Sequence, residues 1–215
     1  MTNPLTHTGN HRLDAMNSSP AHPHQPWRIA VTRLLALASM ALALTACDIA
    51  TTRQPIGAQP ANLADLKVEG TWKAGSEHFF VRVADEKAGK LEIAQVKSEG
   101  GEFTLERTEL LVRRQDDVLL VNFRPIKSEM QPEYVFGRAS VNDGSTVIYL
   151  AAKKPIAAFA KSGGIGISDH SPNGGENDHD SVVVTNGFER LAQELASPAG
   201  WQLHDMEHPL ILQQE

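Results

Sequence analysis

The feature that most limits what this chain can fold into is a succession of short β-forming runs, each closed by residues that favour turns. The runs fall at roughly 67–73, 78–84, 90–97, 102–113, 117–124, 134–141 and 145–151, and they are rich in Val, Ile, Leu, Phe and Thr. Asp85-Glu86-Lys87-Ala88-Gly89 separates the second from the third, and Ser98-Glu99-Gly100-Gly101 the third from the fourth. Asn142-Asp143-Gly144 joins the last two. Asn, Asp and Gly tolerate the positive φ that tight hairpins demand. In the fourth run Phe103 and Leu105 share one face, while Thr104, Glu106 and Thr108 share the other. That period of two marks a sheet with one wet face. Connections this short join antiparallel neighbours. The expected fold is therefore mainly β with minor α: a strongly curved antiparallel meander sheet or small barrel.

Past Leu150 the period lengthens. Ile156, Phe159 and Ala160 predict a short helix over 153–162, stopped by Gly163-Gly164. Residues 163–180 read as a polar loop, and Val182-Val183-Val184 as a short strand. Thr185 then stands as N-cap of a helix over 186–196, where Phe188, Leu191, Ala192 and Leu195 fall on one side. This C-terminal helix is expected to pack on the sheet. Pro209-Leu210-Ile211-Leu212 suits a last strand. Residues 67–215 are long enough for one core and contain no internal repeat.

The N-terminal part has a different character. Residues 34–46 form an uncharged apolar run directly after Arg28 and Arg33. A spanning helix needs about 20 apolar residues, so this run suits the h-region of a signal peptide instead. It ends in Leu44-Thr45-Ala46-Cys47, which resembles the lipobox of bacterial lipoproteins. The resemblance implies that residues 1–46 are removed as a signal peptide, whose start is Met1 or Met16. It also implies that Cys47, the single cysteine, carries diacylglyceryl and palmitate-type acyl chains. Two or three such chains anchor a protein without a spanning helix. Asp48 resembles the inner-membrane retention signal of enteric bacteria, so the chain is expected in the cell envelope, on the inner or outer membrane, with its domain facing the periplasm. Thr51, Thr52, Pro55, Gly57 and Pro60 make 47–66 read as a flexible tether.

Setting aside Arg12, Arg28, Arg33 and Asp14 leaves 17 basic and 25 acidic residues from Cys47 onward, a net charge of −8. A domain that acidic, with no basic stripe, is a poor nucleic-acid binder. The order Tyr134-Val135-Phe136-Gly137-Arg138, Val147-Ile148-Tyr149-Leu150, Phe159, Ser162-Gly163-Gly164-Ile165, Val183-Val184-Thr185 and Glu189-Arg190-Leu191 resembles a pattern in small bacterial lipoproteins. That group implies a lipid-anchored β domain and brings no activity. Gly70-Thr71-Trp72 is similar to the opening of lipocalins, whose tryptophan plugs the closed end of an eight-stranded barrel.

Chemistry-bearing clusters are sparse. Asp169-His170-Ser171-Pro172-Asn173-Gly174-Gly175-Glu176-Asn177-Asp178-His179-Asp180 offers imidazoles and carboxylates, but neither helical nor EF-hand spacing. It reads as a solvated loop. His204 and His208, with Asp205 and Glu207, stand at i, i+4; Pro209 disfavours a helix there, so the group reads as a surface feature. No Gly-x-Ser-x-Gly elbow occurs, and Gly163-Gly164-Ile165-Gly166 lacks the Lys-Ser/Thr of a phosphate loop. No catalytic residue, metal site or cofactor is expected. The functional expectation is a non-enzymatic envelope lipoprotein that binds a protein partner or a small apolar ligand. A lipocalin-like carrier, and an immunity or inhibitor lipoprotein acting against an envelope-targeted toxin, are the alternatives. Cys47→Ser removes the thiolate that accepts lipid; the variant is expected to lose palmitate labelling and detergent-phase partitioning, and unchanged labelling contradicts the reading.

Overall fold

The computed structural model describes residues 49–126, 133–170 and 181–215. Cys47, Asp48 and most of the Asp169–Asp180 cluster lie outside them. The strands are β1 (Ala50–Thr52), β2 (Gln59–Pro60), β3 (Gly70–Ala74), β4 (Glu77–Asp85), β5 (Lys90–Glu99), β6 (Glu102–Gln115), β7 (Val118–Pro125), β8 (Tyr134–Asn142) and β9 (Ser145–Leu150), then β10 (Ile167–His170), β11 (Ser181–Val184) and β12 (Leu210–Gln214). Among the described residues two helices, α1 (Lys153–Gly163) and α2 (Phe188–Ala196), and two 3-10 turns at Ala64–Leu66 and Pro198–Leu203 complete the order. Among the described residues no helix is long and apolar enough to cross a membrane.

Strands β3 to β9 follow one another as an antiparallel meander, and β12 returns to lie between β9 and β3. Because β8 also pairs with β9, the sheet closes into an eight-stranded barrel. The mainly β, barrel-type architecture expected from the alternation is thus the one observed. Closure needs strands to twist and to approach closely. Gly137 permits this at the β8–β9 contact, where a Cβ would lie 2.3 Å from the Tyr149 carbonyl oxygen.

Period-two alternation divides the side chains between two cores. Inside the barrel, at one end, Leu63, Val68, Leu91, Leu110, Val112, Leu119, Val121, Ala139 and Ile148 pack together. The other core lies outside the barrel wall. There Leu120 and Phe136 meet Ile156 and Ala160 of α1 and Leu191, Ala192 and Leu195 of α2. Beside it β1, β11 and β10 extend the sheet from the start of β8, with β1 and β11 parallel.

Three expectations are corrected here. The segment 47–66 is not a tether where it is described: Ile49, Ala50, Thr52, Ile56, Ala61 and Leu63 are buried. Its small, Pro-rich composition resembles a linker, but the fully buried Asn122 side chain clamps it. Its Oδ1 accepts from the Ile56 amide at 2.6 Å, and its Nδ2 donates to the Ile56 carbonyl at 3.1 Å. Arg113 Nε donates to the Gly57 carbonyl at 2.8 Å, and the Ala61 amide to Val112 at 3.0 Å. Second, Ile167–His170 of the expected loop forms β10, because β11 otherwise leaves one backbone edge unpaired. Third, Thr185 is not the N-cap of α2. Gly187 is, at φ +73, and the Thr185 amide is committed to the Gly166 carbonyl at 2.9 Å.

On the outer wall Glu92 accepts from Arg82 at 2.5 Å and from Arg107. These hydrogen bonds, led by Arg107, hold its carboxyl down at about 2. Burial alone would raise the neighbouring Glu109, but Lys90 and Arg124 together keep it below the usual carboxylate range. The two carboxylates sit opposite each other in register, and the flanking cations make that pairing tolerable.

Trp72 faces inward, is 3% exposed, and donates from Nε1 to the Val68 carbonyl at 2.8 Å. Truncating a buried tryptophan costs about 3–5 kcal/mol. Trp72→Ala is therefore expected to lower the denaturant midpoint by a large part of the domain's stability, whereas a change at the partly exposed Trp201 is milder. A Trp72→Ala midpoint equal to the parent's would contradict the barrel core described here.

Candidate functional site: a half-empty barrel

The packed end of the barrel gives way to a hollow. A cavity of about 1080 Å³ opens from the other half and runs out past the mouth, where exposed Met206 and Ile211 also border it. Trp72 and Phe79, neighbours in register, line it on one side. Val81, Ile93, Phe123, Val135, Leu150, Leu210 and Leu212 continue the apolar wall. These are the inward-facing positions of their strands, so the same alternation that fills one end lines the hollow at the other.

Polar groups gather toward the rim and already have partners. Lys97 pairs with Glu106 at 2.8 Å, and Gln95 donates to Glu77 at 2.6 Å. Arg124 pairs with Glu109 and lies 4.6 Å from the Tyr134 ring centre. His208 pairs with Asp205 at 3.1 Å.

His204 is different, and here a further expectation is corrected. It is not a surface residue: it is 5% exposed and belongs to the cavity wall. The 3-10 turn Pro198–Leu203 ends just before it, and the following Asp205 amide bonds to the Leu150 carbonyl at 2.8 Å, drawing this segment over the barrel. His204 Nδ1 lies 2.9 Å from the Gly200 carbonyl. A carbonyl only accepts, so Nδ1 holds the proton and Nε2 is left as an acceptor. That Nε2 is buried and has no partner among the described residues. Desolvation lowers the imidazole to about 4, with the positive charge of Arg138 adding to the effect, so it is neutral at pH 7. Arg138 itself stacks 4.0 Å over Trp201, which meets Tyr149 edge-on at 5.2 Å.

His208 remains exposed, so the expected i, i+4 pair is split between interior and solvent. Of the acidic loop, Asp169 and His170 lie on β10, and 171–180 lie outside the described residues. Among the described residues no group of three or more His, Cys, Asp or Glu side chains is placed to hold a metal ion. A smaller hollow of about 420 Å³ lies at the packed end. It is bordered by Lys67, Glu69, Glu86 and Gln214, and Gln214 reaches the Glu69 carbonyl at 2.9 Å. The chain matches no protein-family model, no curated protein and no solved structure.

The lowered imidazole has a measurable consequence. In the unfolded chain the group titrates near 6.5, and in the fold near 4. The unfolded state therefore binds the extra proton first as pH falls, and stability drops between those values, on the order of 3 kcal/mol in full. The Glu92 loss is separate, running from 4.5 down to about 2. Unfolding free energy measured across pH 7 to 4 is expected to fall in the parent and to flatten in His204→Leu. An unchanged slope in the variant contradicts the neutral, buried assignment.

Proposed function

We propose that this chain is a membrane-anchored envelope lipoprotein whose barrel carries a small apolar ligand, the anchor being lipid on Cys47. The observation that carries this reading is the hollow half of the barrel. A structural core has no physical reason to leave its apolar interior unfilled, because lost packing contacts destabilise a core in proportion to the void they leave. A wall of mainly aliphatic and aromatic side chains, with charged groups toward the rim, suits an amphiphile, with its chain inside and its head at the mouth. Closure by eight strands with Trp72 beside the cavity supports the lipocalin-like form of the reading.

A titration of the mature protein carrying Trp201→Phe with a brominated fatty alcohol tests this, read by the fluorescence of Trp72. Saturable quenching is expected. Thr108 faces the cavity, and Thr108→Phe places bulk there; affinity is expected to drop about tenfold or more, equivalent to about 1.4 kcal/mol. Linear, unsaturable quenching that Thr108→Phe leaves unaltered would contradict a carrier.

A further inference from the structure

The antiparallel order places the β5–β6 turn, the end of β7, and the starts of β4 and β12 at the same end of the barrel. That end is the mouth of the cavity, since Lys97, Glu106, Pro125 and Leu210 all border it. Every large apolar side chain that is exposed among the described residues lies there. Strands β5 and β6 pair with each other out to Glu99 and Glu102, whereas β4 pairs with β5 only as far as Ala94 and β7 with β6 only from Thr108. Among the described residues this hairpin runs on beyond the last residues paired with β4 and β7. Its outer face carries Val96, Phe103 at 77% exposure and Leu105 at 63%, with Phe80 and Ile126 beside its root. Across the mouth, Met206 and Ile211 are also half exposed. Large contiguous apolar surface of this kind marks an interaction site.

The chain itself limits what covers this surface. Ile49 is buried, lines the cavity and is bridged to Ala152. Cys47 precedes it by two residues, a reach of at most about 7 Å. With no tether, a lipid on Cys47 holds the barrel against the bilayer at the cavity. We propose that the mouth end docks on the membrane that holds the anchor, with the apolar rim seated in the interface and the cavity open toward lipid. This rests on the anchored-carrier reading above and adds the source of the ligand: it enters from the bilayer and not from the aqueous phase. Acidic Glu102, Asp205 and Glu207 and basic Lys97, Arg124 and Lys154 lie at the same end, so the contact rests on the apolar rim.

The test uses the mature lipidated protein bound to dioleoylphosphatidylcholine vesicles, with and without the dibrominated lipid. Two single variants are compared with the parent: Phe103→Trp on the hairpin, and Asp117→Trp in the β6–β7 turn at the packed end. Brominated chains are expected to quench most of the added Phe103→Trp emission, which also shifts to shorter wavelength, and to leave the Asp117→Trp emission unaltered. Equal quenching at both positions, or none at position 103, overturns the orientation while the anchor stands. A shielded but unquenched tryptophan at position 103, in protein that sediments as a dimer, assigns the rim to a second copy and likewise overturns it. Failure of the anchor shows separately: protein that does not float with the vesicles, and whose N-terminal peptide lacks the lipid mass, overturns the anchored reading and the docking with it.

Discussion

Closure of the sheet by β12 is the constraint on which the rest of the structure depends. By pairing Leu210–Gln213 with β9 and Gln213–Gln214 with β3, it turns a meander with two free edges into a barrel. An eight-stranded barrel has an interior of set width, which side chains fill only if enough of them are large and close together. At one end they are: Leu63 and Val68 enter from outside the strands and complete the packing. At the other end, among the described residues, Ile49 and the segment at His204 border the space without filling it, and the wall residues face one another across it. The hollow therefore follows from the unequal reach of the flanking segments, and the strands themselves are built alike throughout.

The same economy governs the N-terminal segment. The Asn122 amide satisfies both backbone groups of Ile56 inside the second core, where an unpaired N–H or C=O is costly. Once Ile56 is held, β1 falls beside β8, Ile49 reaches the cavity wall and the helices gain a sheet to cover. The place of Ile49 on the cavity wall and the closure of the outer core thus depend on one clamp. Two buried polar atoms have no hydrogen-bond partner among the described residues, His204 Nε2 and Arg138 Nη1.

Much of the fold was legible in the amino-acid order. The strand boundaries of β4 to β9, the two helices and the final strand follow from period and turn residues, since local alternation and glycine-rich turns depend on neighbours a few residues apart. What could not be read locally depended on distant partners. Pro55, Gly57 and Pro60 look like linker residues until Asn122 and Arg113 are seen to hold them. Ile167 looks like part of a polar loop until β11 pairs with it. His204 sits in a polar stretch, and only the fold of the Pro198–Leu203 turn buries it. Trp72 stood out in the sequence, but its neighbours in the cavity wall read equally well as a filled core. Whether alternating residues enclose matter or space is decided by closure, which no local pattern records.

The central claim is that the open half of the barrel is a site for an amphiphile taken from the cell's own membranes. Native mass spectrometry of the protein purified from those membranes tests it most directly. The account predicts a near-stoichiometric adduct of amphiphile mass beyond the lipid on Cys47, released when the protein unfolds. A single unliganded mass in every preparation, from protein that also takes up no added amphiphile, would contradict it.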